Sequence, residues 1–238
     1  MSGPELGTGP DKARFVSAMF SRIARRYDLM NGLMTLGLHH GWRRAAARAT
    51  LGAPEGPALD LATGTGDLAL ALAALHPGRT VVGADFSLGM LAVARDKLGG
   101  RPRRIRLVAA DALQLPFATQ SFACVTSAFL LRNLADLGQG LQEMRRVTRP
   151  GGRVVALEIT QMTLPVVAPL FRLYFDRVVP RVGRLVSGDA LAYTYLPQSV
   201  ARFLTPDELA RLMQDVGLRS VRHRRLGLGT ITLHAGVA

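Results

Sequence analysis

Residues Ala58–Asp67 read ALDLATGTGD. A short apolar run ends in Asp60, passes into Ala62-Thr63-Gly64-Thr65-Gly66, and gives way to an apolar-periodic segment from Leu68 to Leu75. That order spells strand, tight glycine turn and helix, the opening of a Rossmann-like α/β unit. Gly64 and Gly66 let the backbone turn sharply and let a ligand approach where a Cβ would intervene.

The rhythm repeats toward the C-terminus. Thr80–Ala84 reads as a second strand followed by Asp85, and Ser87 as the N-cap of a helix over Leu88–Leu98, with Gly89 weakening its first turn. Ile105–Ala109 is a third strand with Asp111 just beyond it. Phe122–Phe129 is a buried fourth strand running into Leu130-Leu131-Arg132-Asn133, before a helix from about Leu134 to Val147. Arg149–Gly152 is a turn and Arg153–Glu158 a fifth strand. Such alternation predicts a doubly wound, mostly parallel sheet, in which ligands bind outside the carboxyl ends of the strands. Asp60, Asp85, Asp111 and Arg132 all leave those ends, so topology brings them to one rim.

Acids at three successive strand ends suit no pyrophosphate. They suit S-adenosylmethionine, which has no phosphate, an ammonium group seeking an anion and a ribose seeking an acceptor. On this reading Asp60 takes the ammonium, or else caps the N–H groups of its own loop. Thr65 bonds the cofactor or only the turn. Asp85 accepts from the ribose, Asp111 meets the adenine amino edge, and Ala112 offers a backbone N–H to the ring. Met90 packs on adenine or in the core. Binding of NAD is not expected. Arg132 is harder to explain without a substrate; Asn133 is covered by an N-cap role for the next helix. No Ser-His-Asp set or Cys-His pair is legible, which argues against hydrolysis through a covalent intermediate.

The rest of the chain frames this core. Residues 1–12 read as a mobile N-terminal segment, 13–53 as a helical cap with a break near Asn31 and Gly32, and 54–159 as the cofactor-binding core. Residues 160–202 are an apolar, arginine-dotted insertion with a helix from about Val166 to Val179, a substrate lid facing the membrane. Residues 203–238 supply the last helix, begun by Thr205-Pro206-Asp207-Glu208, and a closing hairpin, with His234 in an edge strand. A formal charge of +13, from 30 basic and 17 acidic residues, favours a polyanion, either nucleic acid or an anionic membrane. An arginine-rich composition without such a partner is the plain alternative. The single cysteine, Cys124, lies in an apolar run and excludes a disulfide scaffold. No metal is expected: His39 and His40 are neighbours that should not converge on one ion. The opening MSGPELGTGPDK has no apolar signal-peptide core.

Several segments together resemble the bacterial quinone-biosynthesis C-methyltransferases, nearly end to end from Phe20 to His234. They are FSRIARRYDLMN (Phe20–Asn31), LDLATGTGDLA (Leu59–Ala69), VVGADFSLGMLAVAR (Val81–Arg95), LPF (Leu115–Phe117), LRN (Leu131–Asn133), EMRRVTRPGG (Glu143–Gly152) and RVGRLVSGDALAYTYLPQS (Arg181–Ser199). The glycine-loop motifs are shared by many methyltransferases, whereas RYDLMN, LRN and GDALAYTYLP together are more specific. The resemblance implies a seven-stranded class I methyltransferase fold, S-adenosylmethionine as donor, and ring-carbon methylation of a polyprenylated quinol, demethylmenaquinol to menaquinol. It carries cofactor contacts to Thr65, Asp85, Asp111 and Ala112, a role in ring deprotonation through water to Arg132, with Asn133 beside it, and a place near the substrate to Tyr27. The chain departs from the family's SFGLRN at Ala128 and Leu130, and at its final hairpin. A different prenylated phenol or benzoquinol is therefore an alternative substrate, and an RNA methyltransferase a more distant one. The resemblance also implies a cytoplasmic enzyme at the inner face of the membrane; a homodimer is left open.

Overall fold

A computed structural model describes residues 10–99, 104–160, 173, 174, 177, 179, 181 and 190–238. Its sheet contains β1 (Ala58–Leu61), β2 (Val81–Asp85), β3 (Ile105–Ala109), β4 (Phe122–Ala128), β5 (Thr148–Ile159), β6 (Arg219–Leu226) and β7 (Ile231–Val237), in the order β3-β2-β1-β4-β5-β7-β6. The first five are parallel, and β7 runs antiparallel to both β5 and β6. Strand order reverses between β1 and β4, where Asp60 stands level with Thr126. In this class of sheet that reversal opens the binding crevice.

Both faces are covered, as a parallel sheet requires. Alternate residues divide between two cores. Leu59, Leu61, Val154 and Ala156 meet Leu141 and Met144 of α5 (Leu137–Val147), with Leu209 and Met213 of α7 (Pro206–Asp215). Ala58, Val155 and Leu157 meet Ala46 and Ala47 of α2 (Leu38–Arg48), with Leu68 and Leu72 of α3 (Asp67–Leu75). The period-two alternation of the strands thus fixes which helix lies on which side. Cys124 is buried in the second core, where burial pushes its thiol up to about 11.

Local signals explain most boundaries. Ser87 caps α4 (Leu88–Leu98) by accepting the Met90 N–H at 3.2 Å. Thr205 and Glu208 close a capping box at α7, and Gly217, at φ 92°, follows its end. Gly89 has a reason in the fold: a Cβ there would lie 2.9 Å from Ser21 Cα, so its absence lets α1 (Pro10–Thr35) cross α4. The Ser21 and Ser87 hydroxyls meet at 2.7 Å beside that crossing.

Five expectations are corrected. Helix α1 runs unbroken past Asn31 and Gly32; the chain turns instead at Leu36 and Gly37, both at positive φ. The N-cap of α5 is Asp136, not Asn133, because Leu131–Asn133 forms a separate 3-10 turn. Strand β4 stops at Ala128, since Phe129 has φ 63°. The Arg149–Gly152 turn is a bulge inside β5: Phe122 pairs with Thr148 before it and Cys124 with Arg153 after it. His234 does not lie at an edge, because β6 covers β7; its ring is buried and Nε2–H donates to Pro206 O at 2.9 Å. The expected helix over 166–179 lies largely outside the described residues. Within that range, Tyr174 donates its hydroxyl to Met34 O at 3.0 Å, and Val179 packs with Met19 and Ile23 of α1. Helix α6 (Ala190–Ala201) places Tyr195 in the same cluster.

Candidate active site

The glycine turn and the ends of β2, β3 and β4 enclose a cleft lined by Gly64, Asp85, Met90, Asp111, Ala112, Asn133 and Tyr27. Seven of the sequence-predicted site residues therefore come together. Gly64 has φ 56°, and a Cβ on it would meet nothing within 4 Å, so the backbone lies open to the cleft. Asp85 braces this turn: Oδ2 accepts Gly64 N–H and Oδ1 accepts Ser87 N–H, both at 2.8 Å. A carboxylate has about four acceptor sites, so Asp85 keeps capacity to receive a ribose hydroxyl. Burial pushes the Asp85 carboxyl up, and the backbone N–H groups oppose that shift. Asp111 accepts Leu113 N–H through Oδ1 at 2.9 Å. Phe20 and Ser17 of α1 form the opposite wall.

Asp60, Thr65 and Gly66 stand beside the cleft and are absent from its lining. Asp60 is 1% exposed and accepts from the hydroxyls of Thr63 at 2.7 Å and Thr126 at 3.2 Å. Its carboxylate holds the loop from beneath, and burial raises it to about 7 against those two bonds. The Thr65 hydroxyl donates to Asp28 Oδ1 at 2.6 Å. Asp28 and Asp67 both pair with Lys97, and Asp67 also pairs with Arg43 at 3.4 Å. The network ties α1, α2, α3 and α4 behind the turn. Gly66, at φ 87°, is the N-cap position of α3.

Arg132 lines a second, larger cavity of about 300 Å³ instead of the cleft. It pairs neither with Asp60 nor with Asp111: its Nη1 donates to Glu158 Oε2 at 2.8 Å, and Leu131 N–H donates to Oε1 at 2.6 Å. Both side chains of the pair are buried. Burial pushes Glu158 up, and the Arg132 charge pulls in the other direction. Arg132 and Arg43 stand 5.7 and 6.0 Å from the centroid of Phe129. Asn133 donates Nδ2–H to Phe129 O at 2.9 Å and accepts the Tyr195 hydroxyl at 3.0 Å, so the amide is held from two sides.

The second cavity is walled by apolar groups, among them Met19, Ile23, Trp42, Val179 and Ile231. It shares Phe20, Tyr27 and Phe129 with the cleft. Phe20 and Tyr27 meet edge to face at 6.0 Å. Two compartments, one carrying the carboxylates of Asp85 and Asp111 and the other wider and more apolar, therefore join at three aromatic rings.

Sequence reasoning missed Glu158, Tyr195, Phe129 and His39. Glu158 carried the same signal as Asp85, an acid at a strand's carboxyl end. The other three sit among apolar or polar neighbours that give no local cue. His39 and His40 do approach one another: their rings stack at 4.0 Å in the first turn of α2, where no preceding helical turn restricts their rotamers. With Asp67 they bring potential ligand atoms within 4.8 Å. That carboxylate is already shared by Arg43 and Lys97, which disfavours a further cation there.

Solved structures share this architecture. A Thermotoga maritima SAM-dependent methyltransferase, described as a possible histamine N-methyltransferase, superposes with a TM-score of 0.65 over 93% of this chain and 98% of that one, at 18% identity. The [4+2]-cyclase SpnF gives 0.66 over 97% and 80%, at 16% identity. Such identities carry the fold alone. Strand order and glycine turn are those of the class I, Rossmann-like methyltransferase fold. More narrowly, residues 8–238 match the ubiE/COQ5 methyltransferase family, and the chain belongs to it. The demethylmenaquinone methyltransferase of Deinococcus radiodurans is 47% identical over 98% of this chain and 96% of its own length. That of Thermus thermophilus is 47% identical over 92% and 99%. The ubiquinone/menaquinone biosynthesis C-methyltransferase UbiE of Syntrophotalea carbinolica is 45% identical over 92% of each chain.

Proposed function

We propose that this enzyme transfers a methyl group from S-adenosylmethionine to a ring carbon of a polyprenylated quinol, converting demethylmenaquinol to menaquinol. The observation that carries this reading is the junction of the two cavities at Phe20, Tyr27 and Phe129. A cleft that carries Asp85 and Asp111 among apolar walls fits the donor, and the more apolar cavity fits a ring and the first part of a prenyl tail. Names borne by relatives 45–47% identical over nearly the whole chain support the same substrate.

The cofactor supplies an electrophilic methyl group on a sulfonium. Asp85 and Asp111 would hold its ribose and adenine, Ala112 its ring edge through the backbone, and Gly64 would admit it without a side chain in the way. The acceptor ring carbon becomes nucleophilic as the adjacent hydroxyl gives up its proton to water and negative charge grows on its oxygen. Arg132, which lines this cavity and is buried against Glu158, would stabilise that charge as a donor, and a dry cavity strengthens the interaction. Asn133 and Tyr27 border the junction and would orient the ring. After transfer, the ring carbon loses its proton to water.

The exit of the tail supports a membrane contact. Leu36, Leu38 and Leu228 line the apolar cavity yet are 89%, 58% and 78% exposed. His40 and Arg44 on α2, with Arg224 and Arg225 on β6, are exposed nearby in sequence. No helix among the described residues is long and apolar enough to cross a membrane. A peripheral contact with an anionic bilayer, through this leucine rim and the chain's positive charge, fits these features.

The test is turnover by purified protein with S-adenosylmethionine and demethylmenaquinol under reducing conditions, read as the methylated quinol. No product from demethylmenaquinol, but product from a benzoquinol or another prenylated phenol, would move the assignment to that substrate.

A further inference from the structure

Within the apolar cavity, a group of polar side chains stands out. Thr35 Oγ1 donates to Asn31 O at 2.6 Å, and it lies 2.7 Å from His39 Nδ1. A hydroxyl has one proton to give. Since it goes to the Asn31 carbonyl, His39 must be the donor in the second bond, with its proton on Nδ1. Nε2 is then an acceptor, and among the described residues no donor serves it. The ring is 3% exposed and lines the cavity. Burial, with the charge of Arg43 adding to it, lowers its pKa to about 4, so the imidazole is neutral across the physiological range. Asn31 lines the same cavity, and its Nδ2 is buried with no partner among the described residues. One unserved acceptor and one unserved donor therefore border a space otherwise walled by hydrocarbon. A buried donor such as the Asn31 amide is costly unless a ligand completes it.

A hydroxyl is the group whose chemistry matches both, because it donates and accepts at once. A carbonyl oxygen can only accept, and would leave His39 Nε2 unserved. We infer that Asn31 and His39, with Thr35 fixing the imidazole tautomer, form a subsite that recognises a ring hydroxyl, and that this subsite selects the reduced quinol over the quinone. The inference rests on the quinol reading given above and deepens it. Arg132, a donor only, serves the other ring oxygen, where negative charge develops.

The experiment measures binding of a 1,4-naphthoquinol carrying a short prenyl tail, and of its quinone, to the wild type and to His39→Leu, His39→Gln and Asn31→Leu. Melting temperature and S-adenosylmethionine affinity are recorded for each. The wild type should prefer the quinol by about tenfold or more, as expected where a site is built around a hydroxyl. His39→Leu and Asn31→Leu should bring that ratio close to one, raise KM for the quinol more than they lower kcat, and leave cofactor affinity unchanged. His39→Gln, which restores an acceptor, should recover part of the preference. An unchanged ratio in a folded variant that binds cofactor overturns the inference, and Asn31→Leu decides the matter if His39→Leu does not fold. Loss of wild-type activity on chelation, restored by zinc only while His39 is present, would overturn it in favour of a metal site with His40 and Asp67. A wild type that binds neither form, yet methylates another phenol, would instead refute the quinol reading itself.

Discussion

A guanidinium and a carboxylate buried together behave differently from either alone. Glu158 accepts from both Arg132 and the Leu131 N–H, so removing Arg132 strands a buried carboxylate as well as a donor to the substrate. Breaking such a pair from one side costs ~3–5 kcal/mol. Arg132→Ala should therefore lower the melting temperature and also reduce kcat by ~100-fold or more. Combining it with Glu158→Gln separates the effects: the double variant should regain most of the stability and none of the turnover. Recovery of kcat along with stability would show that Arg132 serves only the fold. Asp60 offers a second test at this scale. Its ordinary carboxyl value is 3.8, and burial in the fold raises it to about 7. Between these values the native state holds a proton that the unfolded chain releases, so stability declines as pH rises through that window and levels off above it. Asp60→Asn imitates the neutral form. Thermal unfolding at pH 5 and pH 8 should show the wild type losing ~2 kcal/mol relative to the variant; parallel curves would mean the carboxylate is ionised throughout.

Among the elements, α1 has the widest reach. It packs on α4 at Gly89, supplies Ser17, Phe20 and Tyr27 to the cleft, and carries Met19, Ile23 and Asn31 to the apolar cavity. Gly89→Ala would place a methyl group 2.9 Å from the Ser21 backbone and push the helices apart. Overpacking of this sort costs ~1–3 kcal/mol. Cofactor affinity should fall with stability, because one wall of the cleft moves; calorimetry showing unchanged affinity would mean α1 can shift without opening the site. The sequence made the sheet legible because each parallel strand carries its own apolar run and turn. Asp85, Asp111 and Met90 were legible for the same reason: each follows a strand end that topology delivers to the rim. Asp60 and Thr65 each carried two readings, ligand contact or support of the turn, because a position beside the glycine turn does not reveal which way the side chain leaves it. Asn133 resembled an N-cap because the 3-10 turn before Asp136 leaves no periodic trace. The Asn31, Thr35 and His39 group was hidden by the bend at Leu36 and Gly37, which folds α2 back on α1. Without that bend placed, nothing in the pattern brings the three side chains together.

At the scale of the whole molecule, a quinol dissolved in lipid has to reach a cavity inside the fold. Leu36 and Leu228 show the conflict most clearly. Both are leucines held in the left-handed region, at φ 49° and 57°, both are largely exposed, and both line the apolar cavity. A non-glycine residue in that region costs roughly 1–2 kcal/mol, and an exposed leucine gains nothing from water. Leu38 belongs to the same rim, and Leu29 and Leu33 are exposed one helical turn apart on α1. Burial of a leucine side chain in an apolar phase is worth ~1.5–3 kcal/mol, so lipid would offset what the fold loses at these positions. The Leu36→Gly, Leu228→Gly double variant isolates this trade. In solution it should melt at or above the wild-type temperature, because glycine relieves the left-handed strain and that relief balances its greater freedom when unfolded. In flotation with vesicles containing anionic lipid, its capture should fall by about tenfold or more. Wild-type capture should weaken as salt rises and be poorer on neutral vesicles, since the charge of +13 contributes beside the leucines. Turnover of a long-tailed quinol embedded in vesicles should drop further in the variant than turnover of a short-tailed quinol in detergent. Undiminished capture of the double variant would remove the rim from the membrane contact and leave the positive charge alone to account for it.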